Sequence, residues 1–254
     1  MNARSLVITG AGVSAESGIP TFRGKDGYWR SLDPAKLATP EAFARDPKLV
    51  WEWYRERRQR IRNAQPNAAH QAISKLAQHA NEFLLVTQNV DDLHARAGIP
   101  KEKMVQIHGD IFVTKCSRYD FRRRDYEQEH PPSVAAATYG AAGEHEQRDV
   151  VPRCPECDAL MRPGVVWFGE QLPLNELQRV ENYFDRGRCD LVIVAGTTAT
   201  FGYIIDWALR ANRHGGGLIE VNPEETPLSQ FATRLVREPA AVALPLLVNQ
   251  LIEL

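Results

Sequence analysis

Several groups of residues in this 254-residue chain have the types and spacing to do chemistry. The first is Gly10-Ala11-Gly12-Val13-Ser14-Ala15, a Gly-x-Gly-x-x-Ala that follows the apolar run Ser5-Leu6-Val7-Ile8-Thr9. Glycines at those places let a backbone turn sharply against a pyrophosphate, and a following helix aims N–H groups and its dipole at the negative charge. The same glycines also suit a strand–helix turn without a ligand. The continuation, Ser17-Gly18-Ile19-Pro20-Thr21-Phe22-Arg23-Gly24, has no use in a generic dinucleotide site. An ordinary hydride-transfer site would place an acidic residue at the end of a second strand about 20 residues on. Here that position falls near Arg30–Asp33, in no strand, which argues against a dehydrogenase.

A second cluster, Thr87-Gln88-Asn89-Val90-Asp91-Asp92-Leu93-His94, follows another apolar run. Amides and carboxylates there suit ribose hydroxyls and a carboxamide, and Asn89 or Asp91 equally suits a helix cap. In Val105-Gln106-Ile107-His108-Gly109-Asp110, a histidine beside a glycine can reach into a cleft and titrate near neutrality; a structural histidine is the competing reading. Tyr54 and Arg57 lie three apart and share one face of a helix. Taken alone, that pair fits an amphipathic helix with the tyrosine in the core and the arginine in water. Cys154-Pro155-Glu156-Cys157 with Cys116 has metal-ligand spacing.

These groups need a frame. Ser5–Gly10, Phe83–Thr87, Val105–His108, Asp190–Gly196 and Gly217–Asn222 are short apolar runs, each followed by a polar or glycine-containing turn. They predict an α/β fold: a Rossmann-like, doubly wound parallel sheet whose ligands sit beyond the carboxyl ends of the strands. About 70 residues separate the first two strands, too many for one crossover helix, so an extra helical element is expected. Val50, Trp53, Tyr54, Arg57 and Ile61 predict a helix over Leu49–Arg62, and Asn67–His79 is another. Val242–Leu254 predicts a helix that docks on the core. Residues 117–150, with Arg122-Arg123-Arg124 and Pro131-Pro132, show neither helical nor strand period and read as a mobile surface insertion. The arginine run reads as a solvated face. One catalytic domain over 1–254 is expected. Its Rossmann-like part takes about 1–30, 66–112 and 170–254. A smaller inserted module combines a helical segment, about 31–65, with a zinc-ribbon-like segment, about 113–169.

A net charge of −1 gives no global field toward nucleic acid or an anionic membrane. No apolar run is long enough to span a bilayer. The first strand begins almost at Met1, leaving no room for a signal peptide. Four cysteines suit a reducing compartment and a metal site better than a disulfide framework. A cytoplasmic monomer without nucleic-acid or membrane partners is the expectation.

In sum the motifs resemble the sirtuin family of NAD-dependent protein-lysine deacylases. They are Gly10–Ser14, Gly18–Arg23, Thr87–Asp91, His108-Gly109, Val165-Val166-Trp167-Phe168-Gly169-Glu170, Gly196-Thr197-Thr198 and Val221-Asn222, in the family's order. The resemblance implies that Gly10, Ala11, Gly12, Ser14 and Ala15 cradle the NAD phosphates. Thr21, Phe22, Arg23 and Trp29 belong to a loop over the nicotinamide side. Gln88, Asn89 and Asp91 orient nicotinamide and its ribose, with Asn89 and Asp91 in the catalytic set. Gly196, Thr197, Thr198 and Asn222 hold the adenosine half, and Ala240 closes it. Val166, Trp167, Phe168 and Gly169 pair with an extended acyl-lysine peptide by strand addition.

His108 is the implied general base. In that family the acyl-lysine oxygen attacks the ribose carbon bearing nicotinamide, nicotinamide leaves, and an alkylimidate forms. The base takes a proton from the ribose diol, and water completes release of lysine and O-acyl-ADP-ribose. NAD is consumed. Tyr54-x-x-Arg57, with Ala38 leaving pocket room and Thr21 fitting the same class, resembles the class III sirtuins that prefer succinyl or malonyl over acetyl groups. A guanidinium fork suits a terminal carboxylate. ADP-ribosyl transfer to protein uses the same chemistry, and a non-catalytic NAD sensor is a third reading, disfavoured by His108. Most sirtuins offer Cys-x-x-Cys twice; here Tyr119 stands three after Cys116, and a phenol is a poor zinc ligand. Structural zinc would rest on Cys116, Cys154 and Cys157, completed by Asp120, His130 or His145; the alternative is an empty site. Cys189 reads as buried core, and a redox Cys-x-x-Cys lacks its expected βαβ setting.

Overall fold

The computed structural model describes residues 3–21, 33–125, 151–213 and 215–253. The chain divides into two compact units: Met1–Gly27, Asn63–His108 and Leu172–Leu254 form the first, Tyr28–Arg62 and Gly109–Gln171 the second.

The first unit is built on a six-stranded parallel sheet. Its strands are β1 (Arg4–Thr9), β2 (Glu82–Thr87), β3 (Met104–Gln106), β7 (Leu191–Ala195), β8 (Gly217–Val221) and β9 (Arg234–Val236), in the order β3-β2-β1-β7-β8-β9. Alternation along β1 sends Val7 to one face and Leu6 and Ile8 to the other. On the first face Val7, Leu85 and Ile193 pack with Ala72, Ile73 and Leu76 of α4 (Ala68–His79) and Ala243, Leu244 and Leu247 of α8 (Ala240–Ile252). On the second, Leu6, Ile8, Val86 and Val192 pack with Val180 and Tyr183 of α6 (Leu174–Asp185) and Ile204 and Trp207 of α7 (Gly202–Ala211). Strands buried on both faces explain the nearly continuous apolar runs. The short α5 (Leu93–Arg96) follows β2.

In the second unit α1 (Pro34–Leu37), α2 (Pro40–Arg45) and α3 (Pro47–Asn63, its last residue in the first unit) precede a three-stranded antiparallel sheet. That sheet runs β5-β4-β6, from β4 (Gly109–Cys116), β5 (Arg122–Arg124) and β6 (Met161–Val165). Asp33 and Thr39 cap α1 and α2 by accepting from Ala35 and Ala42 N–H. Buried Arg58 of α3 donates to the Ile111 and Val113 carbonyls and to Asp125, tying helix to sheet.

Two expectations need correction, and one further strand carries no signal in the sequence. Residues 117–150 are not wholly irregular: β5 pairs with Val113–Lys115, and its three exposed arginines carry no alternation by which a strand could be read. Arg123 and Arg124 are held by Asp125 and Asp110. The third strand ends at Gln106, so His108 lies just beyond it. β9 was not foreseen, because three residues, two of them exposed, show no period. Residues 126–150 lie outside the described residues. Among the described residues no helix is long and apolar enough to cross a membrane.

Candidate active site

The strand order reverses between β1 and β7, and in open parallel sheets ligands bind past the carboxyl ends of the strands at such a point. A seven-residue 3-10 helix, Ala11–Ser17, follows β1. Gly10 N–H donates to the Ala195 carbonyl (3.1 Å) and Gly12 N–H to the Gly196 carbonyl (2.8 Å). A Cβ on Gly12 would lie 2.9 Å from Gly196 Cα; one on Gly196, whose φ is +60°, would lie 2.5 Å from Val13 N. The glycines thus let the two loops at the switch point close on each other.

Side chains from the other strand ends fix these loops. Ser14 Oγ donates to Asp91 (2.9 Å) and accepts from Asn89 Nδ2 (3.0 Å), and all three are buried. Gln88 Nε2 donates to Thr197 Oγ1 (2.8 Å), and Asn222 Nδ2 to the Thr197 carbonyl (2.8 Å). Behind Ser14, buried His70 and His94 lie ring to ring at 4.7 Å. Burial, reinforced by Arg96, pulls His70 down to about 4. Burial also pulls His94 well below its usual value, with His70 adding to it.

His108 Nδ1 faces the Gln88 carbonyl at 3.1 Å. A carbonyl only accepts, so Nδ1 carries the proton and Nε2 holds the single lone pair. Tyr203 Oη lies 2.6 Å from Nε2 and donates to it. Burial lowers the His108 pKa, opposed by the Gln88 bond, so the ring is neutral at neutral pH and suited to accept a proton.

The second unit brings its own set together. Tyr54 is buried, and its hydroxyl accepts from Trp167 Nε1 at 2.9 Å, leaving its own proton to donate. Burial raises the Tyr54 pKa and Arg57 opposes this, so the phenol stays protonated. The half-buried Arg57 guanidinium sits 4.7 Å from the Trp53 ring centroid and 5.5 Å from that of Tyr54. Trp167 is fixed on several sides. Its N–H donates to Glu170 (2.8 Å), Arg162 stacks on its ring at 3.3 Å, and Glu170 pairs with Arg162.

Cys116, Cys154 and Cys157 place their Sγ atoms within 4.8 Å of one another, the one such group of metal-binding side chains among the described residues. Cys154 opens a turn closed by Asp158 N–H on its carbonyl, with Asp158 left-handed at φ 56°. The Arg118 N–H, donating to Cys116 Sγ, holds that thiol below its usual range. Three convergent thiols fit a zinc ion, whose role there would be structural.

The Sir2 family model matches residues 10–201. An NAD-dependent protein deacylase of Aquifex aeolicus is 42% identical over 96% of this chain and 93% of its own length. The chain belongs to the Sir2 family. The NAD-dependent protein deacylase sirtuin-5, mitochondrial, of Xenopus tropicalis is 40% identical over 94% of this chain and 79% of its own. The crystal structure of a Sir2 homologue–NAD complex superimposes with a TM-score of 0.83 at 41% identity, covering 99% of this chain and 90% of that one.

The sequence-predicted residues of this Sir2-family chain divide between the two units. Gly10, Ala11, Gly12, Ser14, Ala15, Gln88, Asn89, Asp91, Gly196, Thr197 and Asn222 surround the switch point, with exposed Thr198 next to Thr197. Ala240 starts α8 and is buried in the core. Thr21 is described and half-buried, whereas Phe22, Arg23 and Trp29 lie outside the described residues. In the second unit the Ala38 carbonyl accepts from Phe168 N–H (2.9 Å). With the Trp167 N–H on Glu170, two of the N–H groups of Val166–Gly169 are already taken within the fold. Asp120 is not among the clustered ligands, and His130 and His145 lie outside the described residues. Three residues were missed: Tyr203, Arg162 and Glu170. Glu170 ends a quoted motif, so a signal existed for it; a lone tyrosine 95 residues from His108 gives none.

Proposed function

We propose that this Sir2-family NAD-dependent protein deacylase prefers lysines bearing a succinyl or malonyl group, with acetyl-lysine a poorer substrate. The observation that carries the reading is the pairing on α3 of Tyr54, which has a hydroxyl proton to donate, with Arg57 beside it. A terminal carboxylate accepts from both, and a charge-assisted bond in a water-poor site is worth about 1.5–3 kcal/mol. Arg162 is neutralised by Glu170 and so does not compete for the acyl carboxylate.

NAD fits the first unit by the chemistry of its donor set. Two loops meet at a switch point, and amides, a carboxylate and hydroxyls stand at the strand ends. Gly10, Ala11, Gly12, Ser14 and Ala15 would bind the phosphates, and Thr197, Thr198 and Asn222 the adenosine half. Asn89 and Asp91, locked through Ser14, would orient the nicotinamide ribose. When bound, NAD supplies an electrophilic ribose carbon with nicotinamide as leaving group. His108 Nε2 accepts a ribose hydroxyl proton while Gln88 fixes its tautomer. Matched peptides carrying acetyl, malonyl, succinyl and glutaryl lysine test the preference: kcat/KM should be highest for the acidic acyl groups. Equal or better turnover of acetyl-lysine would reject it.

A further inference from the structure

His108 Nε2 and the Tyr203 hydroxyl are 2.6 Å apart within the first unit. Neutral imidazole has one acceptor lone pair, and with Nδ1–H on the Gln88 carbonyl that lone pair is at Nε2. It is the same lone pair that a ribose hydroxyl must reach, and it cannot accept two protons at once.

The phenol is held there by an aromatic shelf. Tyr203 stacks on Phe201 (5.6 Å, 12°) and leans on Trp207 (4.9 Å), while Phe201 meets the His108 ring edge-on at 5.8 Å. Phe201 caps α7 and Tyr203 is the second residue of that helix. Left-handed Gly196 and Ala199 (φ 60° and 49°) turn the chain after β7, ahead of this start. Tyr203 is half-buried and packs against the core beneath the sheet. Burial keeps its hydroxyl protonated, a donor only to an unprotonated Nε2.

We propose that Tyr203 is a positioning residue whose hydroxyl stands in for the ribose hydroxyl at His108 Nε2, holding the base as an acceptor until NAD displaces it. This rests on the reading of His108 as the base. The exchange replaces one O–H···N bond by another, while the Nδ1–H bond to the Gln88 carbonyl keeps the lone pair oriented throughout. Displacement has a cost, since a neutral hydrogen bond must be broken before the productive one forms.

Tyr203→Phe keeps the shelf and removes the donor. With 15N-labelled histidine in the ligand-free protein, the substitution should move the His108 Nε2 resonance downfield, toward an unbonded ring nitrogen. NAD should then return it toward the wild-type position. The KM for NAD should fall by about two- to tenfold with kcat nearly unchanged, the range expected for loss of one competing hydrogen bond. An Nε2 resonance that Tyr203→Phe leaves in place, while His108 still answers to NAD, overturns the placeholder alone, as does a rise in KM. A resonance that answers to the substitution but not to NAD overturns the base reading and the proposal with it.

Discussion

Replacing Gly196 by alanine tests how the NAD cradle is built. The added Cβ would sit 2.5 Å from Val13 N and 2.7 Å from Gly12 C, both backbone atoms that cannot rotate away. Restoring an ordinary contact of 3.4 Å requires the two loops to part by ~0.9 Å at Val13. The residue is also left-handed at φ +60°, which costs a side chain about 1–2 kcal/mol. Overpacking adds about 1–3 kcal/mol. Together these predict a Tm lower by roughly 5–15 °C for a chain of this size. A shift of about 1 Å at a substrate-positioning loop also predicts a loss on the order of 100-fold in NAD-dependent kcat/KM. Gly202→Ala is the control: its Cβ meets nothing within 4 Å at a helix start, so stability should hold or rise slightly. Thermal melts, calorimetric titration with NAD and steady-state kinetics read these effects. A Gly196→Ala protein that binds NAD like the wild type would refute the claim that loop closure at the switch point makes the cradle, whatever its Tm.

Further outcomes follow from the other groups. Arg57→Met should lower desuccinylation relative to deacetylation by roughly 10- to 150-fold on matched peptides; equal losses would remove the carboxylate pocket. Tyr54→Phe should narrow the same ratio and cost about 1–3 kcal/mol of stability, because it orphans the buried Trp167 Nε1–H; urea titration checks this. His70 and His94 are neutral in the fold and bind protons more weakly than in the unfolded chain. Stability is therefore full above about pH 6.5 and lost as pH falls toward 4, by about 2 kcal/mol at pH 5 from His70, with His94 acting in the same direction. Denaturation curves of equal midpoint at pH 7.5 and pH 5 would contradict this. Protein purified without added zinc should carry one zinc per chain by elemental analysis, and a chelator should lower its Tm; metal-free protein with unchanged melting would reject the site.

The parallel sheet was legible because strands buried on both faces leave apolar runs, and the glycine motifs mark where chain segments touch. β5 and β9 were not legible, since short exposed strands such as Arg122-Arg123-Arg124 owe their pairing to neighbours rather than to their own pattern. Among the site residues, those tied to strand ends were visible: Gln88, Asn89, Asp91 and His108 each follow an apolar run. Contacts between distant segments were not. The Trp167–Tyr54 bond spans 113 residues and the Tyr203–His108 bond 95, and neither leaves a local signal. The family resemblance proposes Val166–Gly169 as peptide-pairing backbone, yet only the fold reveals that Ala38 and Glu170 already hold two of its N–H groups.

The central claim is that the cradle and His108 consume NAD to remove an acyl group from lysine. Mass spectrometry after incubation with NAD and a succinyl-lysine peptide tests it directly, with His108→Ala in parallel. Free lysine peptide, nicotinamide and O-succinyl-ADP-ribose are expected in equal amounts, and none of them from the variant. ADP-ribose retained on protein without free lysine peptide, or undiminished deacylation by His108→Ala, would contradict it.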